Sequence, residues 1–305
     1  MGTPELARAS LEELLKQTGF QVVGVVTQPD RPSGRELKVT SSPVKTLALG
    51  HNLPVLQPER AREEAFIEQL RQWQPDLIAV AAYGQILPKS ILDLPPHGCI
   101  NVHTSLLPRY RGAAPIQWAI LNGDSETGVT IMKMDAGMDT GPIIVQEKTP
   151  ISEEDNAQTL HDRLAKLGAD LLVRTIPDYV SGRIKPTPQP SEGVTYTKKI
   201  KKEDGLIDWT QPARMVSNRV RGLVPWPGAF TRLPDSNELL KIWEGRVASN
   251  SAAPGSILRA DKEGILVACG EGAFQIQSLQ RQGGRRMAVK EFLAGNNLLA
   301  GQAFK

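Results

Sequence analysis

Hydrophobic positions recur along this chain in two rhythms, and where the rhythm changes the chain changes character. Leu6, Leu11, Leu14 and Leu15 form a helical stripe behind Thr3-Pro4-Glu5, where Thr3 suits an N-cap, Pro4 the first helical position and Glu5 the positive dipole end. Gln21 to Thr27 is apolar and β-branched and predicts a strand. Ser42-Pro43 predicts the next helix start, and Arg60 to Trp73 an amphipathic helix with Phe66, Leu70 and Trp73 on one side. Leu77 to Ala82, Cys99 to Val102, Val129 to Met134 and Pro142 to Gln146 follow as strands. A short helix is expected over Pro115 to Leu121, and a long one over Leu160 to Tyr179 with Leu164, Leu167, Leu171 and Leu172 inward. Strands alternating with helices indicate an α/β fold with a doubly wound, mostly parallel sheet.

Beyond residue 183 the pattern breaks. Pro186, Pro188 and Pro190 stand in a polar stretch that reads as a linker, followed by the basic run Lys198-Lys199-Ile200-Lys201-Lys202. Short β patterns come next, around Phe230, Leu239 to Trp243, Ser256 to Leu258, Ile265 to Cys269 and Phe274 to Leu279. Separated by Gly and Asp turns, they predict a small β-barrel. The expected division is a domain over 1–183, a basic linker over 184–204 and a second domain over 205–305.

Composition narrows the class without naming a function. With 40% hydrophobic and 23% charged residues in 305, the chain reads as globular and soluble. No apolar run approaches the ~18 residues of a membrane span, and Glu5, Glu12 and Glu13 break any basic-then-apolar signal-peptide order. Cys99 and Cys269 lie in separate strand-like runs and read as buried thiols in a reducing cytoplasm. No Cys/His spacing suits a metal, and no Gly-rich phosphate fingerprint is present. A net charge of +3 says less than its distribution, which is uneven.

The candidate chemistry sits at the end of the Cys99 strand. Asn101 and His103 are two apart, so on an extended segment both side chains leave one face. An amide donor beside a group titrating near neutrality, at the carboxyl end of a strand in an open α/β sheet, suits carbonyl chemistry. Taken singly, each residue has a structural alternative: Asn101 in a turn, His103 as a satisfied core histidine. Arg31 to Lys38, a Pro/Gly-rich loop with basic groups, reads as a solvated surface loop on its own terms.

The string Asn101-Val102-His103 with Ser105-Leu106-Leu107-Pro108 resembles the signature of the enzymes that transfer formyl groups from 10-formyltetrahydrofolate. Met134-Asp135-Ala136-Gly137-Met138-Asp139-Thr140-Gly141 resembles that family's second motif. The resemblance extends over nearly the whole chain and fits best the members that act on initiator methionyl-tRNA. It implies a catalytic set of Asn101, His103 and Asp139, with Asp135 left as a turn residue. It implies folate binding by Ser105, Leu106, Leu107 and Pro108, and by the turn containing Tyr83 and Gly84. It further implies an OB-like C-terminal domain, a tRNA-clamping role for Arg35 and Lys38, and tRNA phosphate contacts from Lys198, Lys199, Lys201 and Lys202. Arg281, Arg285 and Arg286 form a second candidate patch, and Arg109 and Arg111 are candidates for phosphates or the folate tail.

Two departures stand out: Glu36 lies where the family continues basic, and Thr104 where relatives often carry Gly or Ala. The family's first strand has no counterpart before Gly2-Thr3-Pro4, so a start upstream of Met1 is expected. The implied protein is a cytoplasmic monomer that needs no metal and no membrane, formylating the methionine amino group of the initiator tRNA. The same chemistry on a small amine, such as glycinamide ribonucleotide or a UDP-amino-sugar, is the first alternative. A catalytically dead RNA-binding protein is the second.

Overall fold

A computed structural model describes residues 1–33, 38–249 and 252–304, the side chains of Ser33 and Lys38 excepted. The chain divides into two compact units: Met1–Pro115, Glu126–Pro150 and His161–Thr197 form the first, and Ile116–Ser125, Ile151–Leu160 and Lys198–Lys305 the second.

The first unit begins with α1 (Glu5–Lys16). Thr3 does not cap it. The Thr3 hydroxyl instead bridges two later loops, donating to the Tyr83 carbonyl at 3.4 Å and accepting the Gln28 amide at 3.3 Å. Pro4 takes the cap position and its carbonyl receives the Ala7 and Arg8 amides. Next come β1 (Val25–Val26), β2 (Arg31–Ser33), β3 (Lys38–Thr40), α2 (Pro43–Gly50), β4 (Val55–Leu56), α3 (Glu64–Gln72) and β5 (Ile78–Val80). Ser42 caps α2 as its sequence implies, accepting the Lys45 amide at 3.1 Å with Pro43 at the first position.

After α4 (Lys89–Leu92) come β6 (Cys99–His103), β7 (Arg111–Gly112), α5 (Pro115–Leu121), β8 (Glu126–Lys133), β9 (Ile143–Pro150), α6 (Ala157–Val180) and β10 (Tyr196–Thr197). Strands β1 and β4 pair in parallel, as do β5 and β6; the sheet then continues antiparallel through β8 to β9. Met1 and Gly2 link the two parallel pairs: the Gly2 amide donates to Val26 and the Met1 carbonyl accepts from Ala81. Beside them lies a cavity of about 700 Å³, walled by residues such as Leu11, Val23, Leu77 and Ile176.

Burial fixes β6 at the centre. Cys99, Ile100, Val102 and His103 are buried, and α6 packs so closely over the strand that a Cβ on Gly168 would come within 2.8 Å of Val102 Cγ1. A helix side chain there would lift α6 off the sheet. An apolar cluster of Phe66, Ile67, Leu70, Ile78, Val80, Ile91 and Cys99 fills the space between β5, β6 and α3.

The second unit contains α5 beyond Pro115 and the start of α6 up to Leu160, together with α7 (Ala213–Gly222), β11 (Ala229–Arg232), β12 (Leu239–Ala248), β13 (Ile257–Asp261), β14 (Gly264–Ala268), β15 (Ala273–Arg281), β16 (Arg286–Ala288) and α8 (Val289–Leu293). Among the described residues its strands run in the order β11-β12-β15-β14-β13, with β16 beside β15, antiparallel throughout. The short strands expected from the turn spacing are all present. Val216, Val220, Leu240, Ile242, Phe274, Ile276 and Phe292 meet in one core. Trp209 stacks on Phe304 with centroids 5.9 Å apart, its indole N–H satisfied by the Thr231 hydroxyl at 3.0 Å.

Candidate active site

The carboxyl end of β6 carries the site. Asn101 pairs with Val80 on β5 and Met132 on β8, so its backbone is fixed on both sides. His103, two residues on, is 7% exposed. Its Nε2 lies 2.9 Å from the Tyr110 carbonyl. A carbonyl only accepts, so Nε2 carries a proton, and Nδ1 is turned toward Asp139 Oδ2 at 3.7 Å. The same Oδ2 accepts the Gly112 amide at 2.8 Å, and Asn101 Nδ2 stands 3.5 Å from Oδ1. Asn101, His103 and Asp139 are therefore brought together, with one carboxylate touching both partners.

The loops around them are tightly built. Tyr110, Ala114 and Asp139 have φ of 60°, 56° and 53°. Such left-handed backbone in residues with side chains costs of order 1–3 kcal/mol each and concentrates where a site demands it. Gly141 permits the Asp139 turn to close, because a Cβ there would lie 1.8 Å from the Lys133 carbonyl. Asp135 is a turn residue: its Oδ1 accepts the Gly137 amide at 3.0 Å and the Thr140 hydroxyl at 2.7 Å.

Ser105 to Pro108 is held from beneath by Thr130. This buried hydroxyl donates to the Ser105 carbonyl at 2.7 Å and accepts from the Leu107 amide at 3.1 Å and from Gln146 Nε2 at 2.8 Å. Gln146 also donates to the Leu107 carbonyl at 2.9 Å. The Ser105 hydroxyl is used within the loop, on the Arg109 carbonyl at 2.6 Å. Ser105 and Leu107 are buried, whereas Leu106 and Pro108 are half-buried. The Tyr83 side chain belongs to the apolar core, where burial pushes its phenol up to about 12; only its carbonyl reaches the turn, accepting from Gln28. Gly84, at φ 85°, lies in that turn and is exposed, as is Ile86 at 86%.

Arg111 has an internal place. Its guanidinium donates from Nε and Nη2 to Gln189 Oε1 at 3.0 and 2.7 Å, and from Nη1 to the Tyr196 hydroxyl at 3.1 Å. Arg109 is exposed, its guanidinium 5.1 Å from the centroid of the Tyr110 ring.

Lys198, Lys199, Lys201 and Lys202 are exposed in the second unit. Arg35 lies outside the described residues, as does Glu36; of Lys38 only the backbone is described, in β3. The second basic patch is internally balanced: Arg281 pairs with Glu238 at 2.6 Å, Arg285 with Glu291 and Arg286 with Glu244. Thr104 is 7% exposed.

Sequence reasoning passed over Thr130, Gln146, Gln189 and Thr195. Thr130 had a signal, a polar residue inside an apolar strand; the other three had none. No helix of the described residues is long and apolar enough to cross a membrane.

A profile of the formyl transferase family matches residues 1–176, and one for the formyl transferase C-terminal domain matches residues 199–297. The methionyl-tRNA formyltransferase of Pelobacter propionicus is 52% identical over 295 residues, covering 97% of this chain and 92% of that one. That of Geobacter sulfurreducens is 50% identical over 301 residues, covering 99% and 94%. Among solved structures, an N-formyltransferase from Helicobacter canadensis bound to folinic acid and dTDP-3-aminofucose superposes with a TM-score of 0.66 at 20% identity, covering 92% of this chain and 97% of that one. With both domains matched, and half of its residues shared with full-length relatives, this chain belongs to the formyl transferase family.

Proposed function

We propose that this enzyme transfers the formyl group of 10-formyltetrahydrofolate to the methionine amino group of initiator methionyl-tRNA, in the cytoplasm. The observation that carries the choice of acceptor is the identity of about one half with methionyl-tRNA formyltransferases across both domains. The N-formyltransferase from Helicobacter canadensis shares the fold at 20% identity, a likeness that carries the fold and not the acceptor.

The residues at the strand end fit a folate donor. Exposed Ile86 and half-buried Leu106 and Pro108 lie on the loops that follow adjacent parallel strands, and apolar walls with few polar groups suit a flat heteroaromatic ring. The bound donor supplies an electrophilic formyl carbon: the amine nitrogen bonds to it, its bond to the folate nitrogen breaks, and one proton leaves the amine while one reaches the folate nitrogen. Asn101 Nδ2 is the donor for the acyl oxygen, a contribution of roughly 3–4 kcal/mol when such a group is preorganised. His103 manages the protons from Nδ1, the ring nitrogen not committed to the Tyr110 carbonyl. Asp139 faces that nitrogen and orients the ring. Lys198, Lys199, Lys201 and Lys202 hold tRNA phosphates, with Arg35 and Lys38 as further contacts, and the enzyme works as a monomer.

The test is formyl transfer by the full chain, with 10-formyltetrahydrofolate as donor and three acceptors side by side: initiator methionyl-tRNA, glycinamide ribonucleotide and a UDP-amino-sugar. Turnover on the tRNA alone is expected. Turnover on a small amine and not on tRNA rejects the acceptor, and tRNA binding without turnover on any acceptor rejects the enzyme.

A further inference from the structure

The proline-rich stretch after α6 is tied into the site by hydrogen bonds. Thr187 exchanges both backbone bonds with Ile143 at 2.8 Å. Farther on, the Thr195 hydroxyl accepts the Tyr110 amide at 2.7 Å, and β10 pairs in parallel with β7. Between these anchors Gln189 enters the loop that carries Asp139. Its Nε2 donates to the Asp139 carbonyl and to the Gly141 carbonyl, both at 2.8 Å, while its Oε1 accepts twice from Arg111.

Both N–H donors and both lone pairs of one amide are thereby used within the protein. The orientation of the amide is fixed by its neighbours, since a guanidinium only donates and a carbonyl only accepts. Two of these four bonds straddle Thr140, holding the peptides on either side of a turn whose Asp139 sits at φ 53°. Arg111 is itself pinned to Tyr196, by a hydrogen bond and by a guanidinium 5.7 Å from the ring centroid. The result is a continuous strut: Tyr196, Arg111, Gln189, then the backbone of the Asp139 turn.

We propose that Gln189 is the positioning residue for the Asp139 carboxylate, keeping its turn in the left-handed conformation from which Oδ2 meets both the Gly112 amide and His103. This rests on the assignment of Asp139 to formyl transfer. Arg111 serves the same end indirectly, by fixing the amide that fixes the turn. Displacing a catalytic group by about 1 Å costs up to about 100-fold in rate.

The experiment compares Gln189→Ala, Gln189→Glu, Asp139→Ala and the Gln189→Ala/Asp139→Ala pair, each as the full chain. Single-turnover formylation of initiator methionyl-tRNA at saturating donor gives a rate constant that does not depend on how much of a preparation is folded; steady-state KM values and thermal melting complete the set. Gln189→Glu keeps an acceptor for Arg111 but sets carboxylate oxygens against two carbonyls. It is expected to lose rate by about 10- to 100-fold, as Gln189→Ala does, with KM for tRNA little changed and a folded protein that melts at a lower temperature. On the Asp139→Ala background, loss of Gln189 is expected to cost nothing further.

Rescue by Gln189→Glu to near the parent rate would show that the residue serves only Arg111 and would overturn the proposal. Equal losses on both backgrounds, or absence of a folded fraction in both Gln189 variants, would overturn it as well. A near-normal rate in Asp139→Ala alone would sink the catalytic assignment beneath it, a result distinct from any of these.

Discussion

His103 and Asp139, 36 positions apart in the chain, stand with Nδ1 and Oδ2 3.7 Å apart, and the same oxygen is already engaged by the Gly112 amide at 2.8 Å. The carboxylate is thus anchored by backbone on one side and offered to the imidazole on the other. A lone aspartate on an exposed Gly-rich loop would swing freely; this one is held by its own turn, by Gly112 and by the bonds from Gln189.

That arrangement makes the first mutants informative. Asn101→Ala is expected to lower the formylation rate constant by about 10²–10³, the range typical of removing one preorganised donor, and Asp139→Ala by about 10²–10⁴, the range of proton transfer by a positioned group, because the imidazole loses the carboxylate that orients it. Binding of tRNA, measured by filter retention at fixed salt, is expected to persist in both. Near-normal turnover in either would remove that residue from the mechanism.

Thr130 offers a test of what holds the segment from Ser105 to Pro108 in place. Thr130→Val keeps shape and β propensity but strands the Ser105 carbonyl and the Leu107 amide and takes one of its two bonds from the Gln146 amide. Buried groups left unpaired cost about 1–3 kcal/mol, so the urea midpoint should fall while Thr130→Ser stays near the parent. If valine proved neutral, the three-bond hydroxyl would not be what holds residues 105–108.

Salt and the lysines can be separated from chemistry. Replacing Lys198, Lys199, Lys201 and Lys202 by alanine should weaken tRNA binding and flatten the plot of log affinity against log salt, by about one unit for each phosphate no longer neutralised. The rate constant at saturating tRNA should change little. An unchanged slope would take these lysines out of the interface.

Burial pushes the Cys99 thiol up to about 12 and the Cys269 thiol up to about 11. Both are free and buried. Neither should react with a thiol reagent at pH 8 until the protein is unfolded. An unfolded cysteine ionises near pH 8.5, so above that pH the unfolded chain sheds protons that the folded chain keeps. Stability should therefore be whole below about pH 8.5 and decline as pH rises toward 11–12. Replacing both residues by alanine should remove that part of the decline.

The residues by themselves determined most of the elements, and their resemblance to a known family implied the chemistry. The β-branched runs, the leucine stripes and the Ser42-Pro43 start express local preferences and burial, which are written in periodicity and composition. The pairing of Asn101 and His103 on one strand face follows from the two-residue period alone. Which aspartate belongs with that pair was implied only by the resemblance of the motifs around Asn101 and Asp139 to a known family.

What the tertiary structure decided was partnership. Gln21 to Thr27 reads as one long strand, yet only Val25 and Val26 pair with β4, because a ladder extends only as far as a neighbouring backbone supplies partners. Thr3 has the chemistry of an N-cap but is drawn to Gln28 and Tyr83, two loops no local rule connects to it. Gln189 lies 50 positions from Asp139, in a stretch without apolar rhythm that reads as linker. Hydrogen bonds between irregular segments leave no period in a sequence; they exist only once the strands and helices have brought the two loops to the same sheet edge.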